Sequence, residues 1–144
     1  MIAVDTNILI YAHREDSPFH SQAFQKIEFL ANSTANWAVP WPCLHEFYSV
    51  ATHPRVFDPP TPPDRAVDQI EAWLECPSIR CIGESQRYWD ELRLLLESAQ
   101  VAGPRLHDAR IAAICLQHGV SELWTADRDF SAFPSLKTCN PLVG

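Results

Sequence analysis

The stretch Met1–Tyr11, MIAVDTNILIY, constrains this chain more than any other. Ile2, Ala3 and Val4 form an apolar run that stops at Asp5, and further apolar residues follow at Ile8, Leu9 and Ile10. A short continuous apolar run bounded by polar residues suits a strand buried on both faces. Asp5 then stands at the carboxyl end of that strand, the edge where open α/β sheets hold ligands. A carboxylate this close to a core is costly unless a cation, a metal or hydrogen-bond donors compensate it. Two readings of Asp5 stand level on this stretch alone. It can cap a following helical turn by accepting backbone N–H bonds, or it can ligate a metal.

At 144 residues the chain is long enough for a real core, and one domain spanning 1–144 is expected. A hydrophobic fraction of 47% with five tryptophans excludes a disordered chain. No apolar stretch approaches the ~20 residues of a membrane span. The chain reads into a strand at once without a positively charged leader, so a cytoplasmic protein is expected. The five cysteines (43, 76, 81, 115 and 139) are an odd number without a CxxC pair. That pattern argues against a disulfide framework and a zinc ribbon. Cys43-x-His45 and Cys115-x-x-His118 are isolated pairs, better read as buried small side chains than as zinc ligands. The formal net charge of −7 argues against a surface that attracts phosphate everywhere. An acidic chain acting on nucleic acid needs bound metal, a local basic rim or a basic partner. Nine of its eleven cations are arginine, suited to bidentate contacts with phosphate or carboxylate.

Further along, helices alternate with short strands. Ser17-Pro18 reads as a cap and first position of an amphipathic helix that ends near Asn32-Ser33. Trp37–Val39 reads as a second strand closed by Pro40. Pro42 starts a helix whose body, Leu44–Thr52, carries Glu46 beside the apolar stripe of Leu44, Phe47, Tyr48 and Ala51. The prolines of His53–Pro63 forbid helix and central strand, so a stiff, ordered loop anchored by Val56 and Phe57 is expected. Helices over Asp64–Glu75, Gln86–Gln100 (capped by Ser85) and Arg105–His118 follow. Strands are expected over Ile79–Ile82 and Ser121–Thr125, with an edge strand over Leu136–Cys139 and a helical turn near Asp129-Phe130. Gly119 takes the position just past a helix end. This order favours a parallel sheet with helices on both faces.

Four acidic residues stand out by position. Asp5 and Asp127 each end a strand, while Asp108 and Glu46 lie early in helices. In a doubly wound sheet, strand carboxyl ends and the starts of the following helices share one edge. Carboxylates gathered there repel one another and raise each other's pKa, and a divalent cation resolves the repulsion. Oxygen-only ligands suit Mg²⁺ or Mn²⁺ rather than zinc. Singly, Asp108 reads as a complement to a helix dipole and Asp127 or Asp129 as a cap. Together, the four favour a metal site.

The same residues carry a likeness. VDTNILIY at Val4–Tyr11, LHEF at Leu44–Phe47, HDARIAA at His107–Ala113 and LWTADRDF at Leu123–Phe130 resemble, in order and spacing, the PIN-domain ribonucleases. The closest resemblance is to the VapC-like toxins of type II toxin–antitoxin pairs, and it covers nearly the whole chain. It implies a three-layer α/β fold with a central parallel sheet of four to five strands. It implies that Asp5, Glu46, Asp108 and Asp127 bind Mg²⁺ or Mn²⁺, with Asp129 able to join through water. Asn7 and Thr125 match polar positions that orient the carboxylates. The resemblance further implies cleavage of RNA, often tRNA or ribosomal RNA, a homodimer, and inhibition by a cognate VapB-like antitoxin.

The expected chemistry is in-line attack of a metal-activated water on phosphorus, leaving a 5′-phosphate and a 3′-hydroxyl. Arg14, Arg55, Arg110 and Arg128 are the cations nearest the motifs and are candidates for the RNA backbone. Trp37, Trp41, Phe47 and Tyr48 cluster near Glu46 and could line a groove for the antitoxin. The alternative is a non-catalytic PIN-like domain that binds RNA or a partner, although such a domain would be expected to lose some of the acids. Asn7 stands where a haloacid-dehalogenase-type phosphatase needs its second aspartate. The further histidines of an HD-type phosphohydrolase are not evident, and no glycine-rich turn follows the first strand.

Overall fold

A computed structural model describes residues 1–143. Its elements in chain order are β1 (Ile2–Val4), α1 (Thr6–His13), α2 (His20–Asn32), β2 (Trp37–Pro40), α3 (Trp41–Ala51), α4 (Pro63–Leu74), β3 (Ile79–Ile82), α5 (Tyr88–Ser98), α6 (Leu106–Gln117), β4 (Glu122–Trp124) and β5 (Thr138–Cys139). Short 3₁₀ turns cover Gly103–Arg105 and Arg128–Ala132.

The five strands pair in parallel in the order β3-β2-β1-β4-β5. Ile2 lies opposite Trp37 on one side and Glu122 on the other, so β1 is central. Its residues Ala3 and Val4 are fully buried, as their uninterrupted apolar run requires. The chain steps from β1 to β2 to β3 in one direction, then returns past β1 to β4 and β5. Right-handed crossovers place α1–α4 on one face and α5 and α6 on the other. The contacts agree, because α1 packs on α2 and α3, α3 on α4, and α5 on α6. The reversal falls between β1 and β4. A crevice opens beyond the strand ends where neighbouring connections diverge in this way.

Several boundaries move relative to the sequence reading. The residues after Asp5 form α1, a helix not anticipated as such. Ile8, Leu9 and Ile10 are all buried, so α1 lacks the polar face that would reveal helical periodicity. Ser17 does not cap α2. Its Oγ accepts the Phe19 N–H at 3.2 Å, and the helix starts at His20. Likewise α5 starts at Tyr88, because Arg87 turns left-handed with φ of 68°. Gly119 has the positive φ, 67°, expected just past α6. Among the described residues, no helix is long and apolar enough to cross a membrane.

Candidate metal centre

Asp5 follows β1 and caps α1. Its Oδ1 accepts the Thr6 N–H at 2.8 Å. Its Oδ2 accepts the Thr125 hydroxyl at 2.8 Å and the Asn7 amide at 3.3 Å, and the Cys43 thiol donates to Oδ1 at 3.5 Å. The capping reading and the sheet-edge placement therefore both describe this residue. Asp5 is only 5% exposed. Burial pushes its pKa up despite the donors around it, and the charge of Asp127 adds to the rise.

Thr125 and Asn7 tie the ends of β1 and β4 together. Asn7 donates to Thr125 Oγ1 at 3.3 Å and accepts the Ala126 N–H at 3.1 Å. Thr125 Oγ1 also accepts the Asp127 N–H at 3.0 Å. Asp127 in turn caps the 3₁₀ turn, accepting the Asp129 N–H at 2.8 Å. One small network thus fixes where Asp5 and the Asp127 backbone stand relative to each other.

Asp108 sits in the first turn of α6 and Glu46 in the middle of α3. Asp5, Glu46, Asp108 and Asp127, from four separate parts of the chain, line a single cavity of about 290 Å³. Its remaining wall includes Ile10, Val50, Phe57 and Ile111. Burial raises the Asp108 pKa to about 6, helped by the charges of Asp127, Asp5, Asp129 and Glu46. Glu46 stands exposed at the rim. Partial enclosure raises its pKa, and the charge of Asp5 comes next as a cause. Carboxylate oxygens of Asp108, Asp127 and Asp129 all lie within 4.8 Å of one another. The donors are oxygen alone and they repel, which fits a hard divalent cation. No histidine or cysteine joins that grouping, and Cys43 and Cys115 are buried with their thiol pKa values pushed up, that of Cys115 to about 12.

The arginines divide. Arg14 does not reach the cavity as a free cation. It is bonded to Asp16, to the Pro59 carbonyl and to Thr61, and its guanidinium lies 4.2 Å from the centre of the Phe57 ring. It anchors the proline-rich loop, whose Val56 and Phe57 both line the cavity, Val56 with 53% of its surface still exposed. Arg55 and Arg128 are exposed, and Arg110 pairs with Glu84. The aromatic cluster also divides. Trp37 and Phe47 are fully buried, which removes them from any docking groove, while Trp41 and Tyr48 are exposed.

Thr6 and Cys43, both bonded to or beside Asp5, were not anticipated. Cys43 lies just past the carboxyl end of β2, an edge position that could have identified it.

Comparison with known proteins adds a second line. The family model described as "PIN domain" matches residues 2–136. Ribonuclease VapC43 of Mycobacterium tuberculosis is 35% identical over 144 residues, covering 100% of this chain and 97% of that protein. Ribonuclease VapC48 of the same species is 31% identical over 141 residues, covering 97% of each. The crystal structure of VapBC2 from Rickettsia felis bound to a promoter DNA fragment matches with a TM-score of 0.67 and 22% identity. That match covers 96% of this chain and 98% of its counterpart.

Proposed function

We infer a function from the premise that this chain belongs to the PIN-domain family and resembles its VapC members along its whole length. The reading is a metal-dependent endoribonuclease that acts as a toxin and is restrained by a VapB-like antitoxin. The observation that carries it is the meeting of Asp5, Glu46, Asp108 and Asp127 in one cavity at the sheet's switch point. RNA of the translation machinery, tRNA or ribosomal RNA, is the substrate class the resemblance favours, and a homodimer is the expected assembly.

Asp5, Glu46, Asp108 and Asp127 would hold Mg²⁺ or Mn²⁺, with Asp129 reaching the same ions through water. Bound divalent ions would supply charge neutralisation at the phosphate and an activated water for in-line displacement. The chain's own residues do the rest. Thr125, Asn7 and the Thr6 N–H hold the Asp5 carboxylate in one orientation, so little reorganisation accompanies substrate binding. Glu46, exposed on α3 and lining the cavity, would orient the attacking water. Ile10, Val50 and Ile111 give the same cavity apolar lining.

The test is cleavage of total tRNA and ribosomal RNA in Mn²⁺, read by sequencing of the new ends. The wild type is expected to yield 5′-phosphates and 3′-hydroxyls. Asp5→Asn is expected to lose about a hundredfold or more in rate, the scale of removing one electrostatic contributor to a transition state. Full metal-dependent activity in Asp5→Asn would overturn the assignment.

A further inference from the structure

Beside the acidic cavity lies a second depression, about 440 Å³, that the reaction above leaves unused. The two share Glu46, Asp108 and Ile111 as a common wall. The rest of the second depression's lining is different in kind, with Pro42, His45, Ser49, His107 and Arg110. Arg110 Nε donates to Glu84, and its guanidinium makes no other bond among the described residues. That pairing fixes the side chain and leaves N–H donors free.

Trp41 stands one helical turn before His45 on α3. The two rings lie 6.3 Å apart between centroids and are tilted by 31°. The indole is 41% exposed, and a Cβ on Gly83 would come within 3.5 Å of its Cδ1. It is thus seated against backbone on one side and open to solvent. His45 lines the depression with His107 and Arg110, and Trp41, just outside that lining, extends it through its pairing with His45, unusual equipment for a chain of net charge −7. Unpaired RNA is recognised by such groups, with bases stacked on aromatic or histidine rings and the backbone held by arginine.

We propose that this depression is the subsite for the nucleotide next to the scissile phosphate. Trp41 and His45 stack its base, and Arg110 with His107 binds its phosphate. Charge complementarity and the wall shared with the acidic cavity assign RNA as the occupant. The proposal rests on the ribonuclease reading and deepens it.

The probe is a fluorescein-labelled RNA hexamer of mixed sequence, titrated by anisotropy in Ca²⁺, which suits oxygen sites and tolerates loose geometry. Trp41→Ala and Arg110→Ala are each expected to weaken binding about tenfold. Trp41→Tyr, which keeps a stacking face, is expected to restore most of it. Mn²⁺ affinity without RNA is expected to match the wild type in all three. Equal RNA binding by wild type and variants overturns the subsite and leaves this face to a protein partner. A parallel loss of Mn²⁺ affinity also overturns it, because the residues would then merely support the acids. A wild type that neither binds the hexamer nor cleaves RNA in Mn²⁺ brings down the ribonuclease reading itself, and the subsite with it.

Discussion

Asp5 shows how one side chain can satisfy a structural and a chemical demand together. Its carboxylate needs donors to exist near the core, and those donors fix its direction. Thr125→Val removes the 2.8 Å hydroxyl donor while keeping the shape. Leaving a buried acceptor short of a partner costs about 1–3 kcal/mol, so a lower denaturation midpoint is expected. Mn²⁺ affinity by calorimetry should fall as well. Asp108 gives a pH signature. Its pKa rises from 3.8 unfolded to about 6 folded. The folded state therefore holds the extra proton between those values, and the stability this contributes is full below about pH 4 and lost as pH rises through about 6. Thermal melts in EDTA should show that decline, Asp108→Asn should reduce it while the raised pKa values of Asp5 and Glu46 keep part of it, and saturating Mn²⁺ should reverse it by favouring the charged form. Metal binding should weaken as pH falls through the same range.

At the scale of elements, legibility followed burial pattern. β1, β2 and β3 could be read from their apolar runs, and Ile79–Ile82 has the bounds expected of it. By contrast, α1 was hidden because both its faces are covered, so Ile8, Leu9 and Ile10 give no 3.6-residue rhythm. The start of α2 was misplaced because a serine that bonds a turn looks, in sequence, like one that caps a helix, and that of α5 because nothing in the sequence marks Arg87 as left-handed. The acids were legible as sheet-edge positions, while Cys43, at the same edge just past β2, was passed over because its residue type suits a packed side chain as well as a donor to a carboxylate. The partners of Arg14 were hidden too, because charge near a motif does not say which way it turns. It clamps the His53–Pro63 loop through Pro59, Thr61 and Phe57. Arg14→Ala should raise amide exchange selectively at Val56, Phe57 and Thr61, whose N–H groups bond within this region, while the exchange of β1 stays unchanged.

For the whole molecule, the reversal of sheet direction at β1 explains why residues so distant in sequence converge. Asp5 and Thr125 are brought together by the parallel pairing of β1 with β4, and α3 and α6 approach from opposite faces. The proposed homodimer predicts a solution mass about twice the 16.3 kDa of one chain by light scattering. The acidic balance predicts that RNA binding depends on divalent ions more than on the general surface. The central claim is that these carboxylates coexist because they share bound cations. Anomalous diffraction from crystals grown in Mn²⁺ tests it most directly. The prediction is a manganese peak at about 2.0–2.3 Å from oxygens of Asp5, Asp108 or Asp127, the range of short metal–carboxylate bonds. A well-ordered cavity without manganese at saturating concentration, or manganese bound only elsewhere, would contradict it.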